Sequence, residues 1–94
     1  MLSKTPIKME KVSKKETNME ILRVAMIAEI DAISLYEQLA AETDDESIRK
    51  VLFDVAGEEK THMGEFQALL LGIDAEQAEE LAKGREEVKK LTGK

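Results

Sequence analysis

The fold is decided by residues 48–70, which read IRKVLFDVAGEEKTHMGEFQALL. Apolar residues recur in this stretch every three or four positions, which is the period of an amphipathic helix. A similar pattern runs through residues 21–40. Between the two lies the polar cluster TDDE at residues 43–46, which predicts a turn and a capping box from Thr43 to Glu46. We therefore predict an all-α fold built on an antiparallel hairpin of two long helices.

The first helix has two candidate starts. Ser13 followed by Glu16 forms a capping box, and Asn18 is a second candidate N-cap. The preceding residues 1–12 contain Pro6, which breaks any early helix, so this segment is predicted to be irregular.

The second helix is predicted to end at Gly72, which suits the left-handed position after a helix. Asp74 together with Gln77 then starts a shorter, charged third helix that Gly84 is expected to loosen. The domain boundaries follow as an irregular segment over 1–12, a helical hairpin over 13–72 and a C-terminal helix or tail over 73–94.

Composition excludes several classes of protein. The 94 residues include only 3% aromatics, one proline and five glycines, too few for a sandwich or barrel of short strands. The absence of cysteine excludes a thiolate-ligated zinc or iron–sulfur site and a thiol nucleophile. No apolar run approaches the length of a transmembrane helix, so no membrane partner is expected.

Charge is unevenly distributed along the chain. The net charge is −6, yet residues 1–15 hold five lysines against one glutamate. The acidic remainder disfavours nucleic acid as a partner and favours cations, including metal ions. We interpret the basic leader as a solvated tail, with a docking segment as the alternative.

Three polar residues lie inside the apolar stripes of the two long helices. On a helical wheel of about 100° per residue, Glu29 falls in the stripe of the first helix, and Glu59 and His62 fall in that of the second. A carboxylate there is costly unless it is paired or binds a metal. A buried Glu–His hydrogen bond that serves packing is one explanation. However, Glu59 and His62 also form the Glu-x-x-His element of carboxylate-bridged di-iron bundles.

The spacing of the two glutamates favours a metal site over a Glu–His hydrogen bond that serves packing. Glu29 and Glu59 have their midpoint at residue 44, inside the predicted turn. In an antiparallel hairpin both would then lie at the same depth, roughly 22 Å from the loop. A complete site of this kind takes a Glu from each of two helices and a Glu-x-x-His from each of two more. One chain supplies half, so we predict that a homodimer completes both the site and the core.

The first helix has a second apolar face, opposite the Glu29 stripe. This face would contact the third helix or the N-terminal segment, or it would form a second oligomer interface. Its residues are Val24, Ile27, Ala28 and Leu35.

Residues 19–72 resemble the encapsulated ferritins, half-ferritin chains that work inside encapsulin nanocompartments. The resemblance rests on AEIDAISLYE at residues 28–37 and GEEKTH at residues 57–62. It implies that Glu29, Glu59 and His62 are the ferroxidase ligands, and that Tyr36 lies beside the metal.

The same resemblance implies a function and a set of partners. Dimers of this family form a di-iron centre at their interface, with two iron ions per dimer, and assemble into an annular decamer. The protein would oxidise Fe(II) with O₂ in the cytoplasm, inside a shell of encapsulin that stores the mineral. Mn or Ca would be substitutes for iron at such hard ligands.

The chain departs from the family in two places. Some relatives carry a Glu and a Trp at an outer metal-entry site, where this chain has Ala28 and Leu35. Asp31 remains as the only acidic group there, so an outer site would be weak or absent. The tail over 86–94 shows no clear shell-docking peptide, which suggests a trimmed domain or relatives fused to the shell.

Two other functions remain open at this point. One is a peroxide-consuming di-iron or di-manganese enzyme with the same ligands. The other is a metal-free helical oligomerisation module.

Overall fold

The structure is a computed structural model that describes residues 13–94. Three helices follow one another: α1 over Lys14–Glu42, α2 over Glu46–Ile73 and α3 over Ala75–Thr92. The described part of the chain contains no strand. The expected all-α class is confirmed, and the irregular segment predicted over residues 1–12 lies outside the described residues.

Side-chain caps start each helix. The Ser13 hydroxyl accepts from the Glu16 N–H at 3.1 Å, which confirms Ser13 over Asn18 as the start of α1. At the turn the predicted cap at Thr43 is wrong. Asp45 caps α2 through the Ile48 N–H at 2.9 Å, whereas the Thr43 hydroxyl accepts from the Asp45 N–H and stabilises the turn itself.

The predictions for Gly72 and Gly84 are also wrong. α2 continues through Gly72 to Ile73, and within residues 13–94 only Gly93 has a positive φ, at 76°. A left-handed residue is unnecessary at the end of α2, because Asp74 alone joins the helices with φ −119° and ψ 86°. α3 runs unbroken through Gly84 for 18 residues.

Helices α1 and α2 lie antiparallel and make most of the tertiary contacts. Their turn is closed by Arg49, whose guanidinium donates to the carbonyl oxygens of Ala40, at 3.2 Å, and of Thr43. It also pairs with Glu46. Arg49 therefore satisfies carbonyls at the end of α1 that have no partner within the helix.

The hairpin and α3 form a layer rather than a closed core. The molecule measures 48 × 42 × 18 Å, and its radius of gyration is 16.7 Å against about 12 Å for a compact chain of this length. Among the described residues, the buried apolar side chains are those of Ala40, Ala56 and Leu70. A single helical layer buries only one side of its apolar surface, so the fold needs a second layer.

Part of the second apolar face of α1 lines a cavity together with residues of α3. Ile27 lines a cavity of about 360 Å³ whose other walls include Leu70 of α2 and Leu81 of α3. Leu35, farther along α1, is 51% exposed. Ile27 therefore lies beside α3, and direct packing of this face against the third helix stays a prediction. None of the three described helices has an apolar stretch sufficient to span a bilayer.

The role of Arg49 leads to a stability prediction. Arg49→Met should lower the free energy of unfolding by about 1–2 kcal/mol, because charge-assisted hydrogen bonds to the end of α1 are lost. Thermal denaturation at fixed protein concentration measures the loss, and Lys50→Met, at a neighbouring exposed position, is the control. Equal stability of the two variants would show that Arg49 contributes nothing to the turn.

Candidate metal centre

Helices α1 and α2 bring the three predicted ligands together. Glu29 lies near the middle of α1, and Glu59 and His62 lie on one face of α2 at i, i+3 spacing. Nδ1 of His62 is 3.6 Å from Oε1 of Glu59 and 3.7 Å from Oε2 of Glu29. One ligand atom from each residue lies within 4.8 Å of the other two.

These separations suit a single divalent cation. Metal–ligand bonds of about 2.0–2.2 Å place neighbouring ligand atoms about 3 Å apart and opposite ones about 4.3 Å apart. The two distances from Nδ1 of His62 lie in that range, and all three ligand atoms lie within 4.8 Å of one another, so little movement is needed to coordinate an ion. Two carboxylates and one imidazole suit Fe(II) and Mn(II).

The surroundings of Glu29 provide an independent test of whether a cation fits this site. Its Oε2 atom is buried and has no hydrogen-bond partner within the described structure. An orphaned carboxylate oxygen is costly in a folded protein, and a bound cation removes that cost. The orphaned atom faces Nδ1 of His62, so it points into the cluster.

Electrostatics within the cluster disfavour the ionised form of Glu29. The pKa of Glu29 is raised above its ordinary value, first because its protonated form can donate a hydrogen bond to the nearby Glu59 carboxyl, and further by burial and by the charge of Glu59. His62 acts in the opposite direction. Without a cation, therefore, the two carboxyl groups compete to hold a proton between them.

The site is covered on one side and open on the other. The side chains of Glu29 and Glu59 are 18% and 20% exposed, whereas that of His62 is 46% exposed. Nδ1 of His62 is the nitrogen that lies near the two carboxylates.

Other predicted site residues lie outside this cluster. Tyr36 is half-buried on α1, about two turns beyond Glu29, and its place beside the metal stays a prediction. Asp31 is half-buried and does not belong to the one cluster of three or more metal-ligating side chains within residues 13–94. Glu58, the neighbour of Glu59 in the sequence, is exposed.

The structure adds an ion pair that the sequence did not reveal. Nζ of Lys60 lies 3.3 Å from Oε2 of Glu37, so this pair bridges α1 and α2 next to the residues Tyr36 and Glu59. Both partners are exposed, so the pair contributes little to stability. Helical periodicity gives no signal for it, because both side chains lie outside the apolar stripes.

A hairpin that presents a Glu from one helix and a Glu-x-x-His from the other is half of a ferritin-like carboxylate bundle. The sequence pattern of the EncFtn-like family matches residues 4–70. The chain belongs to this family, the encapsulated ferritins.

Similarity to individual relatives supports this assignment. Over 95 aligned residues and 99% of its length, the chain is 60% identical to a ferritin-like-encapsulin shell fusion protein of Pyrococcus furiosus. It is 33% identical over 84 residues, 86% of its length, to the encapsulin nanocompartment cargo protein EncC of Myxococcus xanthus. The chain spans 28% and 65% of the lengths of these two relatives.

A solved structure matches over the whole chain. It is the crystal structure of the encapsulated ferritin domain from Pyrococcus furiosus, with a TM-score of 0.86 and 58% sequence identity. The match covers 100% of this chain and 98% of that one. The three-helix architecture is therefore that of an encapsulated ferritin domain.

The orphaned carboxylate predicts an unusual response of stability to substitution. Because the pKa of Glu29 is higher in the folded protein than in the unfolded chain, stability falls as pH rises through this interval. Glu29→Gln should therefore raise the Tm of the metal-free protein near pH 8, and raise it less near pH 5.

Thermal scans in the presence of a chelator measure this effect, and Asp31→Asn is the matched control on the same helix. A Tm that falls equally at both pH values in Glu29→Gln would contradict the repulsion that we infer between Glu29 and Glu59.

Proposed function

We propose that the protein is a ferroxidase that oxidises Fe(II) to Fe(III) with O₂ at a di-iron centre formed between two chains. The observation that carries the proposal is the convergence of Glu29, Glu59 and His62 around an orphaned buried carboxylate oxygen. Two copies would supply four carboxylates and two imidazoles, which is the ligand set of a carboxylate-bridged di-iron bundle.

The surface around the site supports dimer formation. Ile48, Val51 and Leu69 lie within about 40° of His62 on the wheel of α2, and they are 51%, 62% and 62% exposed. Apolar side chains on both sides of an open metal site are typical of a surface that another chain covers. An isologous contact there would place each chain's ligands opposite those of its partner.

The reaction transfers two electrons from each pair of iron ions to O₂. Each of two Fe(II) ions loses one electron, and O₂ takes up both electrons with two protons from solvent to give H₂O₂ and two Fe(III). Glu29 and Glu59 hold the substrate ions and stabilise the additional positive charge of the product. His62 provides a neutral ligand and fixes the ions at the open side.

The names of the relatives support a role inside a shell. One relative is named a fusion of a ferritin-like part with an encapsulin shell, and the other is named cargo of an encapsulin nanocompartment. We infer that this chain also works inside an encapsulin nanocompartment in the cytoplasm, with the shell protein as its partner. The annular decamer expected from the family resemblance is part of this proposal.

Substitution of ligands tests the site assignment. Glu59→Ala and His62→Ala should each remove the rapid phase of Fe(II) oxidation, leaving the slow oxidation seen without protein, because each removes one of three ligands per chain. Stopped-flow absorbance and O₂ consumption measure the rate, and circular dichroism verifies that the helices persist.

Glu58→Ala is the matched control, since Glu58 is exposed and adjacent to Glu59. Its oxidation rate should stay near that of the unmodified protein. Rapid oxidation by Glu59→Ala would refute the assignment, and consumption of H₂O₂ in preference to O₂ would favour the peroxide-consuming enzyme.

Metal binding and assembly should be linked if the centre lies between chains. Anaerobic Fe(II), and Mn(II) as a redox-inert probe, should shift the population toward dimers and larger rings. The reason is that a cation bound by the assembled state alone stabilises that state by mass action. About two ions should bind per dimer at saturation.

Analytical ultracentrifugation and native mass spectrometry measure the distribution with and without metal. Glu59→Ala should lose the response to metal, and Glu58→Ala should keep it. An oligomer distribution that ignores metal in the unmodified protein would instead indicate a metal-free helical module.

A further inference from the structure

We propose that the ion pair between Arg23 and Asp74 is a latch that fixes the angle at which α3 leaves the hairpin. Nη2 of Arg23, on α1, donates to Oδ2 of Asp74 at 3.0 Å. Asp74 is the single residue that joins α2 to α3. The pair therefore connects the first helix to the hinge of the third.

Every polar group of Asp74 is engaged. Its N–H donates to the Leu70 carbonyl at 2.8 Å, and its own carbonyl accepts from the Ala78 N–H at 3.2 Å. Oδ1 accepts from the Gln77 N–H at 3.0 Å, which caps α3. Of these polar groups, only Oδ2 bonds to a residue that is distant in the sequence, and that residue is Arg23. Asp74 is 8% exposed, so water competes little for its backbone and capping bonds, whereas the pair with Arg23 is reached by solvent from the arginine side.

Little else holds α3 in place. None of its residues is buried, and every residue from Glu79 onward is exposed. Side chains of its first half, among them Gln77 and Leu81, line cavities shared with the hairpin. Contacts that leave Leu81 42% exposed restrain an interhelical angle weakly, whereas the charge-assisted hydrogen bond at the buried hinge adds a directional restraint.

The latch also determines the shape of the cavity. Arg23 lines it together with Met26, Ile27 and Ile30 of α1, and α3 closes its far side through Leu81. If α3 swings about Asp74, this wall moves and the cavity opens. Any surface composed of α1 and α3 together therefore depends on the Arg23–Asp74 pair.

Solvent access makes the latch sensitive to salt. The Arg23 side chain is 45% exposed, although that of Asp74 is only 10% exposed. Glu20 also approaches Arg23, at 3.4 Å, but it lies on the same helix and cannot restrain α3. Raising the ionic strength to about 1 M shortens the Debye length to about 3 Å and should weaken the pair.

Two substitutions break the latch in different ways. Arg23→Met keeps a long apolar stem and removes the donor. Asp74→Asn removes the charge and keeps a side chain that caps helices well. Glu20→Gln is the matched control, because it removes the other carboxylate near Arg23 and leaves the latch intact.

The experiment measures the distance between α3 and the turn of the hairpin. The chain has no cysteine, so Asp44→Cys and Lys90→Cys provide two unique sites for spin labels. Labelled chains diluted into unlabelled chains report intramolecular distances by double electron–electron resonance. Arg23→Met and Asp74→Asn should each broaden the distribution roughly twofold, and Glu20→Gln should not.

The effect of salt on the distance distribution and the helical content of the variants provide two further tests. High salt should broaden the distribution of the parent protein and leave that of Arg23→Met unchanged, and the double variant should resemble each single one. Unchanged distributions in both variants would overturn the proposal in favour of packing by Leu81. A fall in helical content in Asp74→Asn would also overturn it, because Asp74 would then act as a helix cap and no more.

Discussion

The structure depends on one unfavourable arrangement, a carboxylate placed in the middle of an apolar helix face. Glu29 carries a buried oxygen without a hydrogen-bond partner, and its pKa is raised because its protonated form can donate to the Glu59 carboxyl and because it is buried. An isolated hairpin gains nothing from this arrangement, since an uncharged side chain would pack there at lower cost. A cation changes the balance, because the repulsion between Glu29 and Glu59 becomes attraction toward a shared ion.

The single chain has neither a complete metal site nor a complete core, and one partner chain would supply both. The hairpin buries few apolar residues, and the open side of the cluster at His62 lies on the α2 face that exposes Val51 and Leu69. A second copy laid on that face would cover apolar surface and complete the coordination in one step. The short turn contributes as well. It places Glu29 and Glu59 at equal depth, so a two-fold axis through the proposed dimer would bring four carboxylates to one level.

The sequence predicted the hairpin and the proximity of Glu29, Glu59 and His62 well because both follow from periodicity. The position of a residue in the apolar stripe and its distance from the turn can both be read from the local sequence. Because the two helices are antiparallel, Glu29 and Glu59, which are equally far from the turn, lie close together. The prediction at Gly72 failed because the end of α2 depends on Asp74, whose side chain has long-range as well as local partners. The role of Arg49 was missed for the same reason, since capping of one helix by a side chain from the next leaves no periodic signal.

A site with these properties suits a reaction whose product must leave. Three ligands per chain would hold a divalent ion without enclosing it, and His62, the most exposed of the three, leaves one side accessible. A fully enclosed carboxylate site would hold Fe(III) more tightly than Fe(II), because the higher charge strengthens every contact with a carboxylate. In the cluster without a cation the pKa of Glu29 is raised, so a proton competes with an incoming metal ion for the same carboxylate oxygens.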